Sequence, residues 1–394
     1  MIEYFADLHV HIGRTRRGAP VKVTASRALT LENILREAAE RKGIDAVAIV
    51  DSASPDVLDE LDALLQCGEM EAQEGGGLRY RRRLAVFLAV EVGVDVGRGE
   101  AHFIAYLPDL PAAAAFSREL SRHVTNVRLS SQKARFRAAD LARLTRECAG
   151  FLVPAHAFTP HKGYYGRSAD RLADAFGPEE LAVIPAVELG LSSDTAMASR
   201  ISELDAFAFL SNSDAHSLSK IAREYNRIRA RDLSFEALYA ALRGEQGGIV
   251  ANYGLDPRLG KYYRTFCEAC DGHVPLLPER RCPRCGSDRI VAGVADRLEE
   301  VADRPPGGAA PARPPYVHQV PLEYVPGVGP RTLDRLIEVF GSEMRVLHHA
   351  TEEELARVVP HPVARAIVAA RTGRLRLLEG GGGRYGRVDR PCGF

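Results

Sequence analysis

The chain has 394 residues, in which 52 Lys and Arg balance 52 Asp and Glu. Zero formal net charge excludes recruitment of a polyanion by a global field, so any nucleic-acid contact must come from local patches. No apolar run approaches the ~20 residues of a membrane helix and no secretory leader pattern opens the chain, so a cytoplasmic protein without a membrane partner is expected.

The first element is "ADLHVH", Ala6 to His11. Alternation at period two predicts a strand over 4–10, with Asp7, His9 and His11 on one face and Leu8, Val10 and Ile12 on the other. Further short apolar runs predict strands over 45–50, 84–92, 102–107, 151–153, 183–187 and 206–210. Amphipathic stretches lie between several of them. In "LTLENILREAAERKG", residues 29–43, Thr30 is placed to cap a helix and Gly43 to end it. Repeated strand–helix alternation predicts a parallel α/β fold, and a barrel satisfies it.

Composition shifts near Pro257. Residues 262–288 carry two C-x-x-C pairs. The stretch "ADRPPGGAAPARPP", 302–315, reads as a linker that crosses no core. A compact helical region is expected over 320–371, and the glycine-rich end "EGGGGRYGRVDRPCGF" is expected to move unless a partner orders it. The expected division is a barrel over 1–255, a cysteine module over 256–301, a linker over 302–318, a helical domain over 319–372 and a tail over 373–394.

Metal-binding residue types recur at the strand ends. They are His9 and His11, then Asp51, Glu91, His102 at the start of the fourth strand, His156, Glu188, and finally Asp214 and His216. In parallel barrels the strand ends converge on one face, where the active site lies. One buried histidine is ordinary, but a series at nearly every strand end is not. Imidazole with carboxylate and no thiolate suits zinc, manganese, magnesium or iron. These ligands exceed the needs of one ion, so two or three divalent ions sharing a carboxylate are expected. Paired ions about 3.5–4 Å apart are a device for phosphoester hydrolysis.

Cys267, Cys270, Cys282 and Cys285 have the spacing of a structural four-thiolate zinc site. Cys67, Cys148 and Cys392 are scattered, which fits a reducing compartment. Arg280, Arg281 and Arg284 flank the second pair. "VPGVGPRTLDRLIEVFGS" reads as half of a helix–hairpin–helix module. There Gly327 and Gly329 permit a tight turn, the next helix offers free N–H groups to a phosphate, and Arg331 adds charge. The second half, "VVPHPVARAIVAAR", has prolines in place of glycines. Residues 118–146 hold eight Lys or Arg against two acidic residues, and 365–390 hold seven Arg against two. Both runs fit a nucleic-acid backbone.

"DLHVH", "VEV", "PAH" and "SDAH", in this order over residues 1–250, resemble the PHP family of phosphoesterases. The resemblance implies a distorted (β/α)7 barrel in which His9, His11, Glu91 and Asp214 hold one ion, with Glu91 bridging. On that pattern His102 and His156 complete a second site, and Asp51 and His216 face a third. Arg17 stands where many members have another histidine, and Ser52 follows Asp51 where many read T-D-H. Both missing imidazoles would serve the third ion.

"AVELGLSSDTAMASRISELD" and "SNSDAHSLSKIAREYNRI", followed by the cysteine pairs and helical region, resemble the endonuclease Q family. Members nick DNA on the 5′ side of deaminated bases (uracil, hypoxanthine, xanthine) and of abasic sites. The resemblance implies a metal-dependent DNA repair endonuclease acting on duplex or single-stranded DNA with a damaged base. His9, His11, Asp51, Glu91, His156, Asp214 and His216 would form its catalytic centre. Lys133, Arg135, Lys220, Gly327, Gly329 and Arg331 are the expected DNA contacts. An extruded nucleotide would be walled by 125–137, 163–167 and 193–200. A phosphatase of small phosphomonoesters shares the barrel ligands and leaves the cysteine and hairpin modules unexplained. A non-catalytic DNA-binding scaffold leaves the ligand series unexplained.

Overall fold

The computed structural model describes residues 1–389; Arg390 and Cys392 lie outside the described residues. Seven strands close a ring: β1 (Ile2–Val10), β2 (Ala46–Ile49), β3 (Leu84–Val96), β4 (Gly99–Leu107), β5 (Phe151–Pro154), β6 (Ala186–Glu188) and β7 (Ala208–Leu210). All seven overlap the predicted apolar runs, the sixth only at Ala186 and Val187. β1, β2 and β3 pair in parallel, and so do β6 and β7. Backbone hydrogen bonds from Leu152 to Val183 and from Ala157 to Glu188 join β5 to β6. A parallel bridge from Val10 to Ala215 returns the ring to β1. No described helix is long and apolar enough to cross a membrane.

The parallel order expected from strand–helix alternation is broken at β4. It follows β3 through a tight turn, with Val96 paired to Gly99, and runs antiparallel to both β3 and β5. A connection of only Gly97 and Arg98 is too short for a crossover, which needs a dozen or more residues. The reversal brings His102, in the first half of β4, to the face where parallel strands end.

The barrel interior takes Leu8, Ala48, Phe87, Tyr106, Val153, Ala186 and Leu210, one side chain from each strand. The helix Phe235–Leu242 contributes Leu238 and Ala241 to the same cluster and plugs one end. Val47, Ile49, Leu88 and Phe103 face the outer helices.

β1 does not keep the two faces that strict alternation gives it. Tyr4, Ala6 and Leu8 point inward, whereas Val10 and Ile12 join the outer cluster. The pairing with β2 shifts register between Asp7 and Val10. Such a bulge puts neighbouring side chains on one side and re-aims the rest of the strand. Asp7 therefore leaves the histidine face; its carboxylate accepts from the backbone N–H groups of Ser213 and Ala222 instead.

Outside the ring, Tyr225–Ala230 pairs antiparallel with β1, Gly248–Gly254 pairs with that strand, and Tyr316–His318 adds in parallel. The proline-rich stretch is accordingly strapped down, not loose. Arg304 pairs with Asp205, and Arg313 donates to the Leu204 and Phe207 carbonyls. The helices Pro330–Phe340, Glu343–His348, Glu352–Ala356 and His361–Arg371 follow. The glycine-rich end also differs from expectation. Leu377–Leu378 pairs with Arg387–Val388, and the hairpin docks through Gly380 and Gly386 onto the carbonyls of Arg258 and Leu259. A Cβ on Gly380 would lie 2.5 Å from the Gly260 carbonyl oxygen, so only glycine permits this approach.

The helical region docks through His348. Its ring stacks on Phe5 at 4.5 Å, meets Tyr253 edge-on at 4.9 Å, and places Nε2 2.7 Å from the Tyr225 hydroxyl. Burial, with His349, Arg227 and Arg371 nearby, pushes this imidazole down to about 4. An unfolded histidine titrates at about 6.5. Between these values the unfolded chain takes up a proton that the folded chain refuses. Stability should fall as pH drops through that window, by up to about 3 kcal/mol. His348→Phe should keep the stacking and shrink the loss of melting temperature between pH 7 and pH 5; an unchanged loss would remove His348 as its source.

Candidate metal centre and adjoining cavity

Beyond the bulge, His9 and His11 point across the mouth of the barrel. His9 Nδ1 lies 3.0 Å from Glu188, and His11 Nδ1 lies 3.1 Å from Asp51. A carboxylate beside Nδ1 holds the N–H there and leaves Nε2 as a bare lone pair, the usual support of a metal-binding imidazole. The two Nε2 atoms face each other at 3.3 Å, and each lies 3.5 Å from Asp214 Oδ1. Three electron-rich atoms at this distance fit around a cation and repel without one. His9, His11 and Asp214 are therefore a sound ligand set for a divalent ion.

Glu91, His102 and His156 form a second set. His102 Nδ1 and His156 Nε2 converge on Glu91 Oε1 at 3.0 and 3.3 Å. Glu91 also lies 3.6 Å from His9 Nε2 and 3.4 Å from His11 Nε2, so its carboxylate faces both sets. Burial alone would raise the Glu91 carboxyl, but Lys22, His102 and His11 hold it well below the usual carboxylate range. Burial likewise opposes ionisation of Asp214, and positive charge on His9 and His11, which a bound metal would replace, outweighs it.

The backbone at this centre is strained. His156, Asp214 and Ser131 have φ of 31°, 45° and 53°, in a region that non-glycine residues avoid. Gly190, at φ 78°, lies against His156, where a Cβ would come within 3.0 Å of the histidine Cβ. Glu188 braces the same turn, with Oε1 accepting from the His156 backbone N–H and Oε2 from the Asn212 amide.

Asp51 and His216 stand outside both sets. Asp51 accepts from His11, the Ile12 backbone N–H and the Ser130 hydroxyl. His216 packs edge-on against the His11 ring at 4.9 Å. Lys22 reaches the centre without a sequence signal, and Ser130 and Ser131, within the 125–137 segment expected to wall the pocket, reach it as partners of its carboxylates. Lys22 Nζ lies 3.0 Å from Glu91, and the Ser131 hydroxyl donates to the same carboxylate. Single Lys and Ser residues on loops have no period or motif that would mark them.

Elsewhere, the four cysteine sulfurs gather within 4.8 Å. The Cys267–Cys285 and Cys270–Cys282 separations are 3.8 and 3.7 Å, far beyond a disulfide bond. A tetrahedron with zinc–sulfur bonds of ~2.3 Å has edges of about 3.8 Å, so the residues fit a four-thiolate ion. The basic run over 118–146 is largely neutralised. Lys133 pairs with Asp95 at 2.7 Å, Arg122 with Glu119, Arg128 with Asp56, Arg137 and Arg143 with Asp140, and Arg146 with Glu179. Arg135 is exposed on the strand Lys133–Arg137.

Beside the ligands opens a cavity of about 400 Å³, lined in part by His156, Asp214, His216, Lys220, Lys261 and Tyr385. The walls expected from sequence are different. Tyr164 and Tyr165 are fully buried, and Arg200 is committed to Glu299. Tyr385 enters from the C-terminal hairpin. Its hydroxyl accepts from Arg223 at 2.8 Å, and Lys261 lies 4.6 Å over its ring. Tyr385 also lines a second, open groove of about 870 Å³ that runs past Gly327 and Gly329. Lys220 stands between the two, donating to Glu323 at 2.5 Å and to the Tyr324 hydroxyl at 2.9 Å. Arg331 is exposed on the first turn of the helix Pro330–Phe340, which has no side-chain cap.

Both oxygens of Glu188 accept from donors, so an amide there would set N–H against N–H. Glu188→Gln should weaken manganese binding roughly 10–100-fold, read by calorimetric titration of metal-free protein. Unchanged affinity would show that His9 needs no carboxylate behind it.

No family model matches the chain. The uncharacterized protein YqxK of Bacillus subtilis is 46% identical over 391 residues, spanning 98% of this chain and 100% of YqxK. Among solved structures, the lesion-specific endonuclease PfuEndoQ of Pyrococcus furiosus superposes with a TM-score of 0.83 at 32% identity, covering 99% of this chain and 96% of that one. Endonuclease Q in complex with a 27-mer duplex bearing an abasic lesion at its active site gives 0.84 at 32% identity, covering 99% and 97%. With 32% identity over 99% of its length, the chain belongs to the endonuclease Q family.

Proposed function

We propose that the chain is a metal-dependent endonuclease of DNA repair that nicks the phosphodiester 5′ to a deaminated base or an abasic site. The observation that carries this reading is that Tyr385 lines both the groove and the cavity, so the two adjoin. A phosphatase of small phosphomonoesters needs only the cavity. A polymer needs a path from a backbone-holding turn to the reacting centre, and Gly327, Gly329, Lys220 and Tyr385 lie along such a path. The identified lesion complex of a family member, with duplex DNA bound, favours the same reading.

Two divalent ions held by His9, His11, Asp214 and by Glu91, His102, His156 would supply Lewis acidity at the scissile phosphate. Zinc, manganese, magnesium and iron all suit these ligands. Glu188 and Asp51 hold the Nδ1–H groups of His9 and His11, so the Nε2 atoms are the ones aimed at an ion, which would take the place of a proton there. The cavity has room for one extruded nucleotide, whose base has to leave the stack to be distinguished. Arg223 and Lys261 give its rim positive charge for the flanking phosphates, and Lys220, paired with Glu323, stands beside them. The hairpin turn and Arg331 hold the duplex backbone without reading sequence. The cysteine module takes zinc as a staple with no open coordination position.

Asp214→Asn should abolish nicking of a uracil-bearing plasmid in manganese or magnesium while changing duplex affinity less than about 3-fold, because affinity resides in phosphate contacts. Nicking at the native rate would remove Asp214 from the centre. Arg331→Ala should weaken binding to lesion-bearing and intact duplex alike, and lower the slope of log affinity against log salt by about 0.9; loss confined to the lesion duplex would contradict a backbone role. Cys282→Ser should release one zinc per chain and loosen the strands around Cys267. An unchanged zinc content would refute the four-thiolate site.

A further inference from the structure

The sequence resemblance places a third ion against Asp51 and His216. The residues there do not fit one. Arg17 is exposed, and the Ser52 hydroxyl turns back to donate to the Ile49 carbonyl at 2.9 Å. Asp51 already accepts from three donors, and with His216 Nδ1 held 3.0 Å from the Asp214 carbonyl, His216 Nε2 is a single free ligand, too few to hold an ion.

A different cation is built into the site. The loop after β1 folds back on itself, with the backbone N–H groups of Val21 and Lys22 donating to the carbonyls of Gly13 and Ile12 at 3.0 and 2.8 Å. That pairing aims the Lys22 side chain at the centre, where only 14% of it stays exposed. Its Nζ lies 3.0 Å from Glu91 Oε2, the oxygen turned away from His102 and His156. The Ser131 hydroxyl lies 2.5 Å from the same Nζ and also donates to Glu91. The Ser130 hydroxyl closes the gap to Asp51.

We propose that Lys22 is the third cation of this centre, an ammonium in the place of a third divalent ion, so that the barrel binds two ions and not three. The proposal rests on the two-ion reading of the centre given above. Charge supports it. Asp51, Glu91, Glu188 and Asp214 offset two divalent ions, and the ammonium leaves about one positive charge to receive a phosphodiester. A third divalent ion within a few ångströms of that ammonium would add like-charge repulsion in a poorly screened site. The lysine cannot be stripped by a chelator, so this part of the charge is present at any metal concentration. Lys22 is here a positioning residue for Glu91, holding one carboxylate oxygen while the other faces His102 and His156.

The test is a count of metal positions, read without DNA. Crystals of the full chain, stripped and reloaded with manganese, should give two anomalous peaks in the barrel, with Lys22 still on Glu91. A third peak beside Asp51, with Lys22 turned away, overturns the proposal. Lys22→Asp should raise the barrel count from two to three in native mass spectrometry; a folded variant that still binds two also overturns it. If that variant fails to fold, the peak count in the unaltered chain decides. Fewer than two peaks in the unaltered chain would instead sink the two-ion reading. Absence of nicking despite two peaks would sink the nuclease reading and leave the assignment of Lys22 standing.

Discussion

Two imidazole lone pairs, on His9 and His11, face each other at 3.3 Å inside a barrel mouth that excludes water from both rings. Such an arrangement is costly unless positive charge sits between them, and the surrounding structure serves to hold it in place. The bulge in β1 aims the two rings. Glu188 and Asp51 fix their tautomers. Left-handed backbone at His156 and Asp214 brings in ligands that a relaxed chain would leave outside. Strain of this kind persists only where the neighbours over-determine it, and Gly190 and the Glu188 carboxylate are those neighbours for His156.

The bracing extends outward through amides. Asn212 donates to Glu188, Asn226 donates to Asn212, and Asn252 donates to Asn226, at 2.9, 2.9 and 3.0 Å. All three are essentially buried. They carry the position of a ligand-orienting carboxylate across to the strands Tyr225–Ala230 and Gly248–Gly254, on which the helical region docks. A buried polar chain of this type is favourable only when every member is satisfied, and here each amide has partners on both sides. The barrel extension thus couples the site to the C-terminal half of the molecule. The hairpin that carries Tyr385 closes the same circuit from the other side. Segments far apart in sequence, from the barrel mouth to the C-terminal hairpin, thus line one cavity.

Much of this was legible in the chain itself. Strand positions follow from period-two apolar runs, and the residue types at the strand ends announce a centre of imidazoles and carboxylates. The cysteine spacing and the Gly327–Gly329 turn are local too. These signals depend on neighbours a few residues apart, so they survive the loss of all tertiary information. The expected face of Asp7, His9 and His11 did not survive, because a bulge is set by pairing with β2 and the return through Ala215.

The division between ligands and their supports belonged to the tertiary structure alone. Glu188 and Asp51 are the same residue types as Glu91 and Asp214, and only the ring atom each one faces separates orienter from ligand. Lys22 and Ser131 meet at Glu91 although 109 residues separate them, and the glycine-rich end becomes ordered because Gly380 and Gly386 fit against a loop far away in sequence. The sequence by itself determined which chemistry the barrel mouth holds, since composition and short spacing are enough for that. Which atoms converge, and which positive charges share the site, was decided by register and close approach between distant segments, quantities that no local pattern contains.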